Sequence, residues 1–266
     1  MNIFVNGKEL NTKAETIDEL CSTLGYDKDV VKVVQGYSVE GEEKLQPNMR
    51  VVVVDKKKLP DSENLKEMMS SRMTPGVYEK YSKAKVAVAG LGGLGSNIAI
   101  MLARSGIGHL HLIDFDVVEP TNLNRQCYGI KDLGMYKTDA IKRIIEDINP
   151  YITVKTTNIL VDETKVEALF ENEDIICEAF DNAKNKAMLV NTLALIYPDK
   201  YVVAASGMAG SFDSNLITTK KLGDKLFVCG DFTNAAAKGM GLMAPRVSIC
   251  AGHEANKVLQ IAQEIY

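Results

Sequence analysis

The sequence predicts an α/β protein: a mostly parallel sheet with helices on both faces, preceded by a small α+β unit. Three observations carry that prediction. From Lys85 onward, short Val-, Ile- and Ala-rich runs alternate with segments of helical periodicity, the rhythm of repeated strand–helix–strand units. The run Gly90-Leu91-Gly92-Gly93-Leu94-Gly95 falls between the first of these strands and its helix. Before it, residues 1 to about 54 read differently, as a hairpin, a helix and two further strands.

The first unit can be justified piece by piece. Ile3-Phe4-Val5 is a strand, Asn6-Gly7 a tight hairpin turn, and Lys8 to Thr12 the return strand. Ile17, Leu20, Cys21 and Leu24 fall on one helix face, with Thr16 as the N-terminal cap, Glu19 three residues later and Gly25 past the end. Val30–Val34 and Val51–Val54 are strands. This order suggests a β-grasp, or ubiquitin-like, domain over residues 1–58. Residues 59–84 read as a linker with short helices. It begins in the polar, proline-bearing stretch from Lys56 to Ser62, and Thr74-Pro75-Gly76 breaks a helix of about Glu63 to Ser71.

Residues 85–266 form the larger domain. Strands are expected at Lys85–Ala89, His109–Ile113, Ile152–Thr156, Asp174–Cys177 and Tyr201–Ala205. Helices are expected at 94–105, Lys137–Ile148, Glu163–Phe170 and Asn182–Ile196. Two more strands, Asn215–Thr219 and Lys225–Val228, precede a last helix from Pro245 to Ile265. The architecture is Rossmann-like.

Composition narrows the function. A net charge of −4 argues against a general nucleic-acid binder, which would carry a basic excess. No apolar run is long enough to span a bilayer, and the first residues lack the pattern of a secretory signal, so the expected location is cytoplasmic. Five cysteines without a C-x-x-C pair argue against a disulfide framework and against a four-cysteine zinc site. Cys177 and Cys250 lie in apolar runs and read as core, and His109, His111 and His253 read as structural or surface residues.

The chemistry concentrates after the glycine run. Gly90, Gly92 and Gly95 fit G-x-G-x-x-G, where glycines permit a tight turn and close approach of the backbone to phosphate at a helix N-terminus. Asp114 ends the next strand, at the distance suited to a ribose hydroxyl. Asn122, Arg125 and Lys137 supply what a triphosphate and a reacting α-phosphate need. Arg125 and Lys137 could alternatively form surface ion pairs. Asp181 follows another strand and so falls on the same rim, where it could hold Mg²⁺ or cap the helix that follows.

With those residues in view, the chain from about residue 72 resembles the ThiF/MoeB/HesA adenylyltransferases, relatives of the ubiquitin-activating enzymes. The resemblance rests on Gly90 to Gly95, Asp114-Phe115-Asp116, Asn122-Leu123-Asn124-Arg125-Gln126, Gly134 with Lys137, Ile148-Asn149-Pro150 and Asp181-Asn182. Thr74-Pro75-Gly76-Val77, the segment Ala204 to Gly210 and Cys229-Gly230-Asp231-Phe232 resemble the thiamine-pathway branch. Residues 1 to about 54 resemble ThiS, the sulfur carrier of that pathway.

The resemblance implies that ATP is bound by Gly90, Gly92, Gly93, Gly95, Asp114, Asp116, Asn122, Arg125 and Lys137, with Mg²⁺ on Asp181 and no zinc. It implies that Arg125, Lys137 and Asp181 serve adenylation of a ThiS-like carrier, and that Arg72 reaches the partner's site in a homodimer. A sulfur-donor protein would be a further partner. The first unit lacks a free Gly-Gly end and cannot itself be the substrate. Cys229 is the candidate for a thiol link to the carrier, against the alternative of a buried, inert thiol. An NAD-dependent oxidoreductase, adenylation of a tRNA base, and a non-catalytic regulator blocked by its own β-grasp unit are the rival readings.

Overall fold

The computed structural model describes residues 1–27, 29–40, 43–57 and 62–266, with the backbone alone for 62–65. Of the linker expected from Lys56 to Ser62, residues 58–61 lie outside the described residues. The chain divides into two compact units, Met1–Tyr78 and Glu79–Tyr266.

The first unit folds as its turn chemistry dictates. Asn6 (φ 48°) and Gly7 (φ 78°) both take the left-handed backbone that a two-residue hairpin needs. They join β1 (Asn2–Val5) to β2 (Lys8–Asn11). Thr16 caps α1 (Ile17–Thr23), its side chain accepting from the Glu19 N–H at 3.3 Å. Gly25 follows the helix at φ 75°. β3 (Val30–Val34), β4 (Tyr37–Ser38) and β5 (Arg50–Asp55) complete a sheet of order β2-β1-β5-β3-β4, in which β1 and β5 run parallel. Ile3, Val5, Val51 and Val53 of the sheet bury against Ile17, Leu20 and Cys21 of α1. Each large apolar side chain buried this way stabilises the unit by about 1.5–3 kcal/mol. Asn6 spans the sheet interior, its side chain accepting from the Val53 N–H at 2.9 Å and donating to the Val53 carbonyl at 3.2 Å. Two short helices follow, α2 (Ser62–Ser70) and α3 (Val77–Tyr81).

The second unit is the expected Rossmann-like α/β fold. Its strands are β6 (Lys85–Ala89), β7 (His109–Asp114), β8 (Thr153–Asn158), β9 (Ile175–Glu178), β10 (Tyr201–Ala205), β11 (Thr218–Lys221) and β12 (Leu226–Gly230). They form one sheet of order β11-β12-β10-β9-β6-β7-β8. Every neighbouring pair is parallel except β11 with β12. The helices are α4 (Gly93–Arg104), α5 (Lys137–Ile148), α6 (Val166–Leu169), α7 (Ala183–Ile196) and α8 (Ala244–Ile265).

Strand order reverses between β6 and β9, which places a crevice at their carboxyl ends. Two local expectations fail. The helix expected over Glu163–Phe170 is a 3₁₀ turn, Glu163–Lys165, followed by the single turn of α6. The strand expected from Asn215 begins at Thr218, because the Asp213 side chain accepts from the Asn215 N–H and caps a 3₁₀ turn instead.

Candidate active site

The glycine run turns out to serve two ends. Gly90 (φ 92°) lies against the β9 exit, so a Cβ there would sit 2.8 Å from the Ala179 carbonyl oxygen. A Cβ on Gly95 would stand 1.8 Å from the Gly90 carbonyl oxygen, so this glycine lets α4 pack onto the loop. Gly92, by contrast, faces nearly open space, its nearest neighbour being Gln126 Nε2 at 4.0 Å. Gly92 is also the N-cap residue of α4, and among the described residues no side chain caps that helix. The first-turn N–H groups are therefore free to bind an anion.

Asp114 fastens the loop. Its buried carboxylate accepts from the Leu91 N–H at 2.6 Å and from the Asp116 N–H at 2.8 Å. Tyr128 ties down the same loop, donating its hydroxyl to the Leu91 carbonyl at 2.7 Å. Burial pushes the Tyr128 phenol up, so it stays a neutral donor.

The segment after β7 brings the polar side chains together. Asn122 is buried and accepts from the Glu119 N–H at 3.0 Å, closing a 3₁₀ turn that sets the path to Arg125. Arg125 donates from Nη1 to Asn124 Oδ1 at 2.8 Å and to the Thr121 carbonyl at 3.2 Å. Its Nε is buried without a partner among the described residues, as is Oε1 of the adjacent Gln126. Lys137 begins α5, and its ammonium pairs with Asp116 at 2.9 Å. That pair is half-buried, with Lys137 almost wholly enclosed, and differs from the surface ion pair weighed as an alternative.

Asp181 lies at the exit of β9, exposed, and no described residue bonds its carboxylate. It is not the helix cap: Asn182 caps α7, accepting from the Lys184 and Asn185 N–H groups at 2.8 and 3.3 Å. These residues line one cavity of about 470 Å³, within the size range of small-molecule sites. Its wall includes Gly90, Gly92, Gly93, Asp114, Asp116, Asn122, Arg125, Lys137 and Asp181. Gly95 is absent from the wall, as its packing role dictates. Arg72 belongs to the first unit, where it donates to Ser38 Oγ at 2.6 Å.

Several residues that the sequence reading passed over also meet here. Lys186, on α7, lines the cavity and pairs with Glu178 at 3.0 and 3.2 Å. Glu178 is all but completely buried, and burial raises its carboxyl against the opposing charge of Lys186. Glu254 of α8 is completely buried, and neither carboxylate oxygen is bonded among the described residues. Burial raises its carboxyl well above the ordinary range.

Asp231 and Arg246 form a buried ion pair at the start of α8. Burial opposes ionisation of Asp231, but hydrogen bonds from Asn234 and Thr233 and the charge of Arg246 outweigh it and hold the carboxyl down to about 2. A sequence signal for two of these existed. Glu178 interrupts the apolar run Ile175-Ile176-Cys177, and Glu254 falls on the stripe Val247, Cys250, Ala251, Ala255, Val258.

Cys229 proves inert. It is fully buried, and burial, with Glu254 adding to it, pushes its thiol up to about 12. Cys177 and Cys250 are core, as expected. His111 is buried between Glu173 (2.9 Å) and Thr157 (2.8 Å), away from the cavity wall. Among the described residues no three His, Cys, Asp or Glu side chains gather as a metal site, and no helix is long and apolar enough to cross a membrane.

Comparison with known proteins gives this geometry a family. Residues 65–265 match the ThiF family, and residues 1–57 match the ThiS-like ubiquitin family. The chain is 31% identical over 193 residues to a molybdopterin-synthase adenylyltransferase of Haemophilus influenzae, covering 70% of this chain and 78% of that protein. It is 24% identical over 194 residues to an adenylyltransferase and sulfurtransferase of Candida glabrata, covering 70% of this chain but 44% of that longer protein. Among solved structures, Escherichia coli tRNA N6-threonylcarbamoyladenosine dehydratase in complex with ATP shares the fold at a TM-score of 0.69. The two are 20% identical, and the match covers 78% of this chain and 97% of that one. A mostly parallel sheet, a glycine loop opening α4, and a ThiF match over residues 65–265 together establish that the chain belongs to the ThiF family, with a ThiS-like ubiquitin unit before it.

Proposed function

We propose that this chain uses ATP to adenylate the C-terminal carboxylate of a ThiS-like sulfur carrier, as a step toward the thiamine thiazole ring. One observation carries the reading. Arg125 Nε and Gln126 Oε1 are buried without partners among the described residues, in a cavity that an uncapped helix start also faces. Buried polar atoms left unbonded cost roughly 1–3 kcal/mol each, a cost that a bound polar ligand removes. The Haemophilus influenzae relative, an adenylyltransferase, supports the same reaction class.

In this reading the α4 N–H groups and Gly92 cradle the phosphates, and Asp114, its loop already fastened, accepts from the ribose. The carrier's carboxylate, ionised at neutral pH, attacks the α-phosphorus in line. The bond to the β-phosphate breaks and pyrophosphate leaves, so no proton moves. Arg125 and Lys137 stabilise the charge that grows on the phosphoryl oxygens. The free carboxylate of Asp181 fits Mg²⁺ held against phosphate oxygens, which supplies charge neutralisation. The family usually forms symmetric homodimers, and the same state is proposed here, with Arg72 reaching the partner's site. A monomer at micromolar concentration in equilibrium sedimentation would remove that role.

The test is ATP–pyrophosphate exchange with and without a purified carrier ending in Gly-Gly. Exchange should depend on the carrier, and Arg125→Ala should lower it roughly a hundred- to a thousandfold. A second reading, adenylation of a tRNA base, draws on the shared fold with the tRNA dehydratase. Adenylyl transfer that needs tRNA and ignores the carrier would select it.

A further inference from the structure

We infer that Lys186 holds the acceptor's terminal carboxylate beside the α-phosphate, an inference that rests on the adenylation reading above. The reaction must bring a carboxylate against a triphosphate, two anions that repel. A cation placed on the acceptor's side offsets that repulsion and orients the attacking oxygen.

The cavity has two halves, split where strand order reverses between β6 and β9. Arg125 and Lys137 stand in the half built after β7, together with Asp114 and Asp116. The other half follows β9 and β10, where the small residues Ala205, Gly207 and Ala235 stand with the larger Phe180, Met208 and Leu242. Among the described residues lining this second half, Lys186 is the cation.

Its setting fits the task. The Lys186 side chain is 22% exposed, while its partner Glu178 is 1% exposed. The two Glu178 oxygens fix the ammonium at 3.0 and 3.2 Å, and Glu178 also accepts from the Phe180 N–H at 2.8 Å. The lysine is thereby tied to the loop that carries Asp181. An ammonium has three N–H donors, and Glu178 occupies at most two. At least one remains to meet a carboxylate entering the cavity. The competing account is structural: Lys186 only neutralises Glu178 and offsets the burial of Glu254 on α8. The two accounts differ in what they predict for substrate, since a structural ion pair has no reason to alter the KM of one substrate alone.

The experiment uses the full chain, a purified carrier ending in Gly-Gly, and the double variant Glu178→Gln/Lys186→Met, which strands no buried charge. Lys186→Arg serves as the conservative variant. Carrier KM is read from pyrophosphate exchange, ATP affinity from calorimetry, and integrity from the melting temperature. The expected result is a carrier KM raised roughly ten- to a hundredfold, as for loss of a charged hydrogen bond. ATP affinity should stay within about twofold, and Lys186→Arg should recover most of the KM. An unchanged carrier KM, or an equal loss of ATP affinity, overturns the assignment while leaving the adenylation reading standing. Absence of carrier-dependent exchange in the parent protein overturns both.

Discussion

The two units of this chain use their interiors differently. In the first, the buried cluster is apolar throughout, from Ile3 and Val5 to Leu20, Val51 and Val53. Its buried polar exceptions among the described residues are satisfied within the unit: Asn6 bonds with the Val53 backbone in both directions, and Thr12 accepts from the Ala14 N–H. In the second unit, ionisable groups go inside: His111, Asp114, Asp132, Lys137, Glu173, Glu178, Arg246 and Glu254 are all buried. Burying a charge costs several kcal/mol unless it is paired, so such positions persist where they hold something in place. Asp114 and Lys137 stand in the cavity wall, Glu178 holds Lys186 there, and Arg246 holds Asp231 at the start of α8, while His111 with Glu173 and Asp132 with Arg143 form pairs away from the wall. The difference teaches where to look for chemistry. The unit that resembles a carrier keeps a plain core, and the unit with a cavity carries the electrostatic strain.

Substitutions can break or sharpen that contrast. The largest effect is expected from Arg246→Met, which leaves Asp231 buried without its partner and should cost about 3–5 kcal/mol. Urea denaturation should show the loss in the transition of the second unit. An unchanged midpoint there would mean that the Asn234 and Thr233 hydrogen bonds alone carry Asp231. Next comes Leu20→Ala in the first unit, about 2–5 kcal/mol from lost burial and the cavity left behind. That loss should leave ATP affinity unaltered, and a parallel loss would show that the two units do not act separately.

Glu254→Gln acts through pH. Burial raises the Glu254 carboxyl, so the folded chain keeps a proton there that the unfolded chain has already released. Folding is unhindered below the ordinary carboxylate range, and stability falls as pH rises from that range toward the raised value. The glutamine variant, with no proton to lose, should melt higher than the parent at pH 8 and no higher at pH 5. Equal melting shifts at both pH values would show that Glu254 is ionised in the fold. The smallest change is Thr16→Ala, about 1 kcal/mol from the lost α1 cap, measurable in the first unit alone.

Much of the candidate site could be read before any coordinates. The glycine run fell between β6 and α4 as expected, and Asn122, Arg125, Lys137 and Asp181 line one cavity with Asp114 and Asp116. Their legibility has a partly local cause: Asp114, Asp116 and Asp181 lie at or just past a strand's carboxyl end, and parallel strands put those ends on one rim, while Asn122, Arg125 and Lys137 lie farther along the segment after β7. One alternative was also decided locally. Asp181 and Asn182 are both competent caps, and the structure gives that role to Asn182. The residues missed altogether, Lys186, Glu178, Glu254 and the Asp231–Arg246 pair, meet across different elements, and no spacing rule links β9 to α8.

By itself the sequence determined the alternation of strands and helices, the hairpin at Asn6-Gly7, the cap at Thr16 and the glycine loop. Each follows from backbone preference or periodicity within a short window. The tertiary structure alone decided that Gly95 packs while Gly92 stays open, and that Arg125 Nε is left waiting in a cavity wall. It alone decided that the carboxyl of Glu254, on the apolar stripe of α8, is raised well above the ordinary range by burial. These depend on distances and burial between segments far apart in the chain, and dielectric and steric forces act on those distances, whatever the order of the residues.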